Sequence, residues 1–373
     1  TTTEQPREAD GETVQTGEAD GPPAAGFSCR KLMLIAFILS ASVYVGGLTS
    51  RWHFQRDSAI YLSLARSLLQ EGSYEFNFDK HTKYPPGLPV ILAGVGAVFG
   101  MPEALSDSFL PFNLLMVLFG LGSVAVFYLL LRELDLPPPV CAAAFVFFAF
   151  ARTLYYLSHQ IMTDVPFTFF ALVTLWLGTV FLRSEGRTAW LAGAGATVIT
   201  VVASSIRPVG PLLLVAVTAG LWLRKGSLNR WKRHATQTVL MWVALIMPLW
   251  LYSVWTHEVG DTSRGAHYFR GKITWNRVEV FFETIIEKFP AHFGGLSDTL
   301  LGTNSGPQIG MILAAIMLIG LIHLMRRGER IGSAFAILLA AVIVAGSWSL
   351  SRRYLLPALP VMYVWLAMGG YAI

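Results

Sequence analysis

Charge is scarce in this sequence. Only 14 % of its 373 residues are Asp, Glu, Lys or Arg, where a soluble domain carries about 25 %. Cysteine is scarcer still, at two residues. So few ionic groups cannot coat a water-exposed globule, and two cysteines cannot staple a secreted module. A disordered chain is excluded from the other direction, because 54 % of the residues are apolar and mean hydropathy is +0.54. The usual nucleotide and hydrolase signatures are missing as well: there is no P-loop, no GxGxxG ahead of a helix, no zinc spacing and no GxSxG. What remains is a polytopic membrane protein. The net charge of +5 implies no nucleic-acid partner, since the basic residues do not form one face but lie in short loops between apolar runs.

That charge averages two unlike regions. Residues 1–26 hold Glu4, Glu8, Asp10, Glu12, Glu18 and Asp20 against Arg7 alone, with no aromatic residue. Such a stretch cannot bury enough apolar surface to offset its chain entropy. Residues 1–28 are therefore expected to be a disordered cytoplasmic tail, and 29–373 a transmembrane domain. The first apolar run, Leu32 to Leu48, follows Arg30-Lys31 and reads as a signal anchor with its N-terminus in the cytoplasm.

A bilayer core of about 30 Å needs about 20 helical residues. Full-length candidates lie at 31–50, 109–131, 140–157, 166–182, 236–256, 307–325, 332–350 and 355–373. The longer stretch 190–223 is broken by Arg207-Pro208 and reads as two short spans. The predicted fold is an all-α, polytopic transmembrane bundle of about ten spans, with membrane-surface helices in the first outer loop. Gly87 to Gly100 is too short to cross. As a half-span, it leaves Arg183, Arg187, Arg224, Lys225, Arg230, Lys232, Arg233, Arg326, Arg327 and Arg330 in cytoplasmic loops, as the positive-inside rule asks.

The same topology puts 51–86, 158–165, 257–306 and 351–354 outside. Basic residues there break the rule, and the simplest explanation is an anionic ligand. Asp57 opens a run to Gln70 with helical apolar spacing at Tyr61, Leu64, Ala65 and Leu68. Asp57 could be only the helix cap, yet a cap residue can also face a cleft. Tyr84-Pro85-Pro86-Gly87 is a stiff turn, or nothing more than a helix breaker, which could bring Tyr84 to the same cleft. His159 and Asp164 flank the start of the next span, where an acid also suits the helix dipole. Arg207 at membrane depth needs a wet cavity or an acidic partner. Arg352, Arg353 and Tyr354 precede the last run; guanidinium forks suit phosphate, while headgroup snorkelling is the plainer use.

Taken in order, Asp57-x-x-x-Tyr61, Tyr84-Pro85-Pro86-Gly87-x-Pro89, Thr163-Asp164-x-Pro166, Arg207-Pro208 and Arg353-Tyr354-x-x-Pro357-x-x-Pro360 resemble the C-type membrane glycosyltransferases. The similarity is to the branch holding the protein O-mannosyltransferases and lipid A aminoarabinose transferases, and it covers about residues 30–370. It implies sugar transfer from a polyprenyl-phosphate carrier to an acceptor hydroxyl on the non-cytoplasmic face, with inversion. By this resemblance Asp57 is the general base and Asp164 positions the acceptor or assists. Arg353 holds the lipid phosphate. Many relatives carry two consecutive acids in the first loop, whereas Asp57 is followed here by Ser58.

The residue types suit that chemistry. A hydroxyl nucleophile needs a carboxylate to take its proton. An ionised phosphate leaving group needs only cations, for which Arg352 and Arg207 join Arg353. Tyr61, Tyr84, His159, Tyr354 and His267 are the candidate substrate contacts. No cofactor is required, although a divalent metal could serve. The expected partners are a polyprenyl-phosphate-linked sugar, membrane lipids and a glycan, lipid or protein acceptor. The loop 257–306 mixes aromatic and basic residues (His267, Tyr268, Arg270, Lys272, Trp275) that suit acceptor selection. The rival reading is a transporter or flippase for a lipid-linked or anionic sugar, for which a broken span would suit.

Overall fold

The computed structural model describes residues 28–77, 79–81, 83–223, 231–258, 291–303, 305–345 and 352–373. The disordered tail, His267 and most of the loop 257–306 were expectations on residues that lie outside these.

The described chain is helical, with one minimal hairpin. α1 (Cys29–Gly46) leads to α2 (Arg56–Gln70), then β1 (Glu75–Phe76) and β2 (Asp79–Lys80), paired antiparallel with Glu75 opposite Lys80. α3 (Gly87–Phe99), α4 (Leu110–Glu133), α5 (Pro138–Ala149), α6 (Arg152–Ser158), α7 (Asp164–Arg183), α8 (Gly186–Ile206) and α9 (Pro211–Trp222) follow. Next come α10 (Trp231–Glu258), α11 (291–301), α12 (Gly306–Arg327), α13 (Ile331–Ala345) and α14 (Arg352–Leu355). A 3-10 turn, Leu356–Ala358, joins α14 to α15 (Leu359–Ala372).

Among the described residues seven helical stretches are long and apolar enough to cross a bilayer, or eight if α5 and α6 form one span bent by 40°. The ten crossings expected from hydropathy are therefore not reached by length. The difference lies in α9, with 12 residues, and in α13, of which 15 residues are described. Arg207-Pro208 does break the chain, but unevenly. Proline forces the residue before it out of the helical region, so α8 ends at Ile206 with Arg207 extended (φ −140°, ψ 135°). The helix before the break has 21 residues and the one after it 12, not two short spans.

α7 is the central column, packed between α4 and α8 and against the 3-10 turn. Its side chains Phe167, Ala171 and Leu172 are fully buried. In lipid such contacts rest on close packing rather than on escape from water. α12 and α15 show how close: a Cβ on Gly320 would strike the Trp365 carbonyl, and one on Gly369 the Ile316 carbonyl.

The segment between α1 and α4 starts and finishes at one level of the bundle. Phe109 N–H donates to the Ser50 carbonyl at 2.8 Å, and the Asn113 amide donates to the Thr49 and Arg51 carbonyls at 2.8 and 2.9 Å. α4 thus begins beside the end of α1, and α3 does not carry the chain to the other end of the bundle. It lies instead against α2, with Tyr61, Leu62 and Ala65 buried on Leu88 and Leu92.

Candidate active site

Five segments meet at the end of the bundle where α7 begins. Asp57 stands in the first turn of α2. The cap itself is Gln55, braced by Ser58, whose hydroxyl donates to the Gln55 carbonyl at 2.6 Å and accepts from Trp52 Nε1 at 3.1 Å. Ser58 is fully buried, so a second carboxylate there would sit uncompensated. The Asp57 carboxylate is consequently free of capping duty.

It is bound from two directions. Arg353 Nη2 donates to Asp57 Oδ2 at 2.8 Å, and the Tyr84 hydroxyl donates to Asp57 Oδ1 at 3.0 Å. The same guanidinium reaches the second acid, with Arg353 Nε 2.9 Å from Asp164 Oδ2. Arg207 Nη2 donates to the other oxygen, Asp164 Oδ1, at 2.9 Å. Asp57, Arg353, Asp164 and Arg207 therefore form one chain of alternating charge. Its members differ in exposure: the Asp57 and Arg353 side chains are 22 % and 32 % exposed, that of Arg207 12 % and that of Asp164 0 %. Asp164 is the buried anchor, and Asp57 is the acid that an incoming molecule can reach.

Each position follows from local sequence. Asp164 begins α7 and Pro166 lies in the first turn, where its missing N–H costs nothing. Arg207 is thrown out of helix by Pro208 (above). Arg353 sits on the four-residue α14, ahead of the break at Pro357. Gly87 permits the closest approach: a Cβ there would lie 2.5 Å from Ser205 Oγ and 2.6 Å from the Ser205 carbonyl. The Tyr84 loop can therefore lean on the end of α8, two residues before Arg207.

Aromatic rings wall the cluster. Tyr61 meets Tyr84 edge-on (centroids 5.2 Å apart, 73°), and Arg207 lies 5.9 Å from the Tyr354 ring and 5.8 Å from the Phe167 ring. Burial first, and then the Asp57 charge, push the Tyr84 hydroxyl up to about 12. It stays protonated and donates. Burial likewise raises Tyr61, which hydrogen-bonds Thr163.

Not every sequence candidate comes to this place. His159 turns its ring nitrogens to the Tyr155 and Tyr44 carbonyls, at 2.8 and 3.1 Å; it ties α6 to α1. The Arg352 side chain and His267 lie outside the described residues. Sequence reading passed over His81 and Lys83. His81 stacks on Tyr84 (5.3 Å, 9°) and Lys83 Nζ lies 5.5 Å from its ring. Burial, then Lys83, lower the His81 pKa, so the ring stacks neutral. Their nearness to Tyr84 in the stretch His81–Gly87 was the available signal.

Among the described residues no group of three or more His, Cys, Asp or Glu could hold a metal ion. The place between the two carboxylates is taken by Arg353.

The fold matches solved structures over almost all of the chain. ArnT from Cupriavidus metallidurans, in the apo state, aligns at TM-score 0.59 and 17 % identity over 92 % of this chain and 59 % of that one. The same enzyme bound to undecaprenyl phosphate aligns at 0.58 and 17 % identity over 92 % and 60 %. The oligosaccharyltransferase AglB from Archaeoglobus fulgidus, in complex with an inhibitory peptide and a dolichol-phosphate, aligns at 0.55 and 12 % identity over 92 % and 50 %. The chain thus spans about three fifths of the ArnT length or less. No curated protein matches. The fold is that of the C-type membrane glycosyltransferases. The family model for dolichyl-phosphate-mannose-protein mannosyltransferases matches residues 32–260, well over half of the sequence, and the chain belongs to that family.

Proposed function

We propose that this chain transfers a sugar from a polyprenyl-phosphate carrier to an acceptor hydroxyl, with inversion, on the non-cytoplasmic face. The observation that carries this reading is Arg353 bridging Asp57 and Asp164 at 2.8 and 2.9 Å. One cation lies between a reachable carboxylate and a buried one, beside a second cation, Arg207.

The chemistry needs little more. The donor is a phosphodiester with one negative charge. As the acceptor oxygen bonds to the anomeric carbon, the bond from that carbon to the phosphate oxygen breaks. The acceptor proton passes to Asp57. The electron pair leaves with the phosphate, which becomes a monoester of greater charge. Arg353 and Arg207, with Arg352 next to Arg353 in sequence, stabilise that growing charge, and no acid catalyst is required. Attack opposite the leaving group inverts the centre. Asp164 keeps both guanidinium groups in place by pairing them. Tyr84 holds Asp57 in orientation. Tyr354, half-buried beside Arg207, offers a ring face to a sugar, with Tyr61 and Phe167 packed behind the cluster.

The arrangement also sets an order of events. Asp57 is paired with Arg353 at 2.8 Å. A phosphate drawing the guanidinium toward itself frees Asp57 to accept a proton, so donor binding precedes base action. The test is transfer from a polyprenyl-phosphate hexose by the purified chain and by Asp57→Asn. An enzyme of this kind forms the glycoside as wild type, while the variant binds polyprenyl phosphate and forms none. Sugar flux across vesicles without a new glycosidic bond would point to a transporter instead.

A further inference from the structure

A second feature lies at the opposite end of the bundle. α7 has 20 residues, so its Arg183 end is about 30 Å from its Asp164 end. Around Arg183 the structure holds a cavity of about 650 Å³, a size that accommodates a sizeable small molecule. α4, α7, α9, α12, α13 and α15 all contribute to its lining. Phe127, Leu175, Val364 and Trp365 make its inner wall apolar. Leu175 lies two turns inward of Arg183, so the apolar part reaches roughly 12 Å into the bundle.

The mouth is cationic. Arg183, Arg326, Arg327 and Arg330 line it against two carboxylates, Asp135 and Glu329. Both acids are spent on Arg183, with Asp135 at 3.1 Å and Glu329 closer. Arg327 donates to the Asp135 carbonyl at 3.4 Å and Arg330 to the Leu223 carbonyl. A peptide carbonyl satisfies an N–H but neutralises no charge. Arg326 is exposed and has no carboxylate partner among the described residues. Among the described residues, three guanidinium groups at the rim of this oily slot therefore have no carboxylate partner.

We propose that this cavity is a binding site for an anionic phospholipid, with its phosphate on Arg326, Arg327 and Arg330 and one acyl chain in the slot. A guanidinium cluster favours phosphate by geometry and charge, and basic pockets between membrane helices hold anionic headgroups. Residues at such a rim also snorkel to bulk headgroups, but snorkelling needs no apolar slot behind them. The site is separate from the Asp57 cluster and does not depend on the sugar-transfer reading.

Native mass spectrometry of the full chain in detergent tests this, with dioleoyl-phosphatidylglycerol and dioleoyl-phosphatidylcholine as probes and inorganic phosphate as competitor. One phosphatidylglycerol is expected to be held roughly tenfold more tightly than phosphatidylcholine, given two or more arginines near the phosphate. Arg326→Gln with Arg327→Gln, both exposed and safe for folding, removes the preference. Val364→Phe narrows the slot and weakens phosphatidylglycerol binding while the rim charge is unchanged. Arg187→Gln, a basic residue at the same end outside the cavity, leaves binding as it was. Equal binding of the two lipids, or an equal loss in Arg187→Gln, would overturn the proposal in favour of general surface charge. No effect of Val364→Phe would remove the acyl chain from the slot. Displacement by millimolar phosphate alone would make the ligand a free anion and not a lipid.

Discussion

The two ends of the bundle hold similar residues and use them differently. At the α7 start, two acids and two arginines alternate, and every described charge in the row is matched within 2.9 Å. At the α7 end, two acids share one arginine, and three more arginines have no carboxylate partner among the described residues. Burial explains the contrast. Asp164 is fully buried, and an unpaired charge there would cost several kcal/mol. The Asp135 side chain is 91 % exposed, so water and salt screen its surroundings and imbalance is cheap. Matched charge marks where the protein must hold a geometry, and unmatched charge marks where it can attract.

The contrast can be broken by removing charge at either end. Asp57→Asn should give the largest effect, a fall of about 10²–10⁴ in transfer with polyprenyl-phosphate binding retained; a glycosyltransfer assay with lipid binding in parallel reads both. Asp164→Asn should act on the fold as well. It leaves Arg353 and Arg207 repelling each other in a buried place, at a cost of about 3–5 kcal/mol, visible as a lowered melting temperature in detergent. Gly87→Val should cost about 1–3 kcal/mol, because the added Cβ meets Ser205 and pushes the Tyr84 loop off α8. Its transfer rate should fall together with its stability.

Tyr84→Phe should be milder. It removes one hydrogen bond to a carboxylate, worth roughly a factor of ten in transfer, with little change in melting. Glu329→Gln should be smallest, below about 1 kcal/mol, and visible chiefly in pH dependence. Burial raises the Glu329 pKa, more than Arg183 lowers it. For an acid raised in the folded state, the stabilising contribution is present below its unfolded pKa and is lost as pH rises through the folded value. Melting of the wild type should therefore decline as pH rises above the ordinary carboxylate range, relative to Glu329→Gln, whose profile lacks this component. Strong destabilisation by Glu329→Gln, or none by Asp164→Asn, would reverse the assignment of the two ends.

Much of the site was legible one residue at a time. Arg207 drew attention because charge at membrane depth demands a partner, and Asp164 is that partner. The half-span expected at 87–100 followed from length and from the positive-inside rule, and the bonds between 49–51 and 109–113 bring both ends of that segment to one level. His159 was less legible, since a histidine beside a polar turn reads the same whether it faces a cleft or two carbonyls. Span counting was less legible, because hydropathy scores apolarity and not helix length; among the described residues α9 and α13 are apolar but short.

By itself the sequence determined the class of the fold. Its shortage of charge, the spacing of its apolar runs and the prolines at their ends leave few ways to satisfy a backbone in lipid. It also determined which residue types were available for chemistry. Only the tertiary structure decided that Arg353 would span two acids, one of them 296 positions away. The reason is physical: local periodicity fixes how each helix begins and ends, but which ends meet depends on packing between helices distant in the chain.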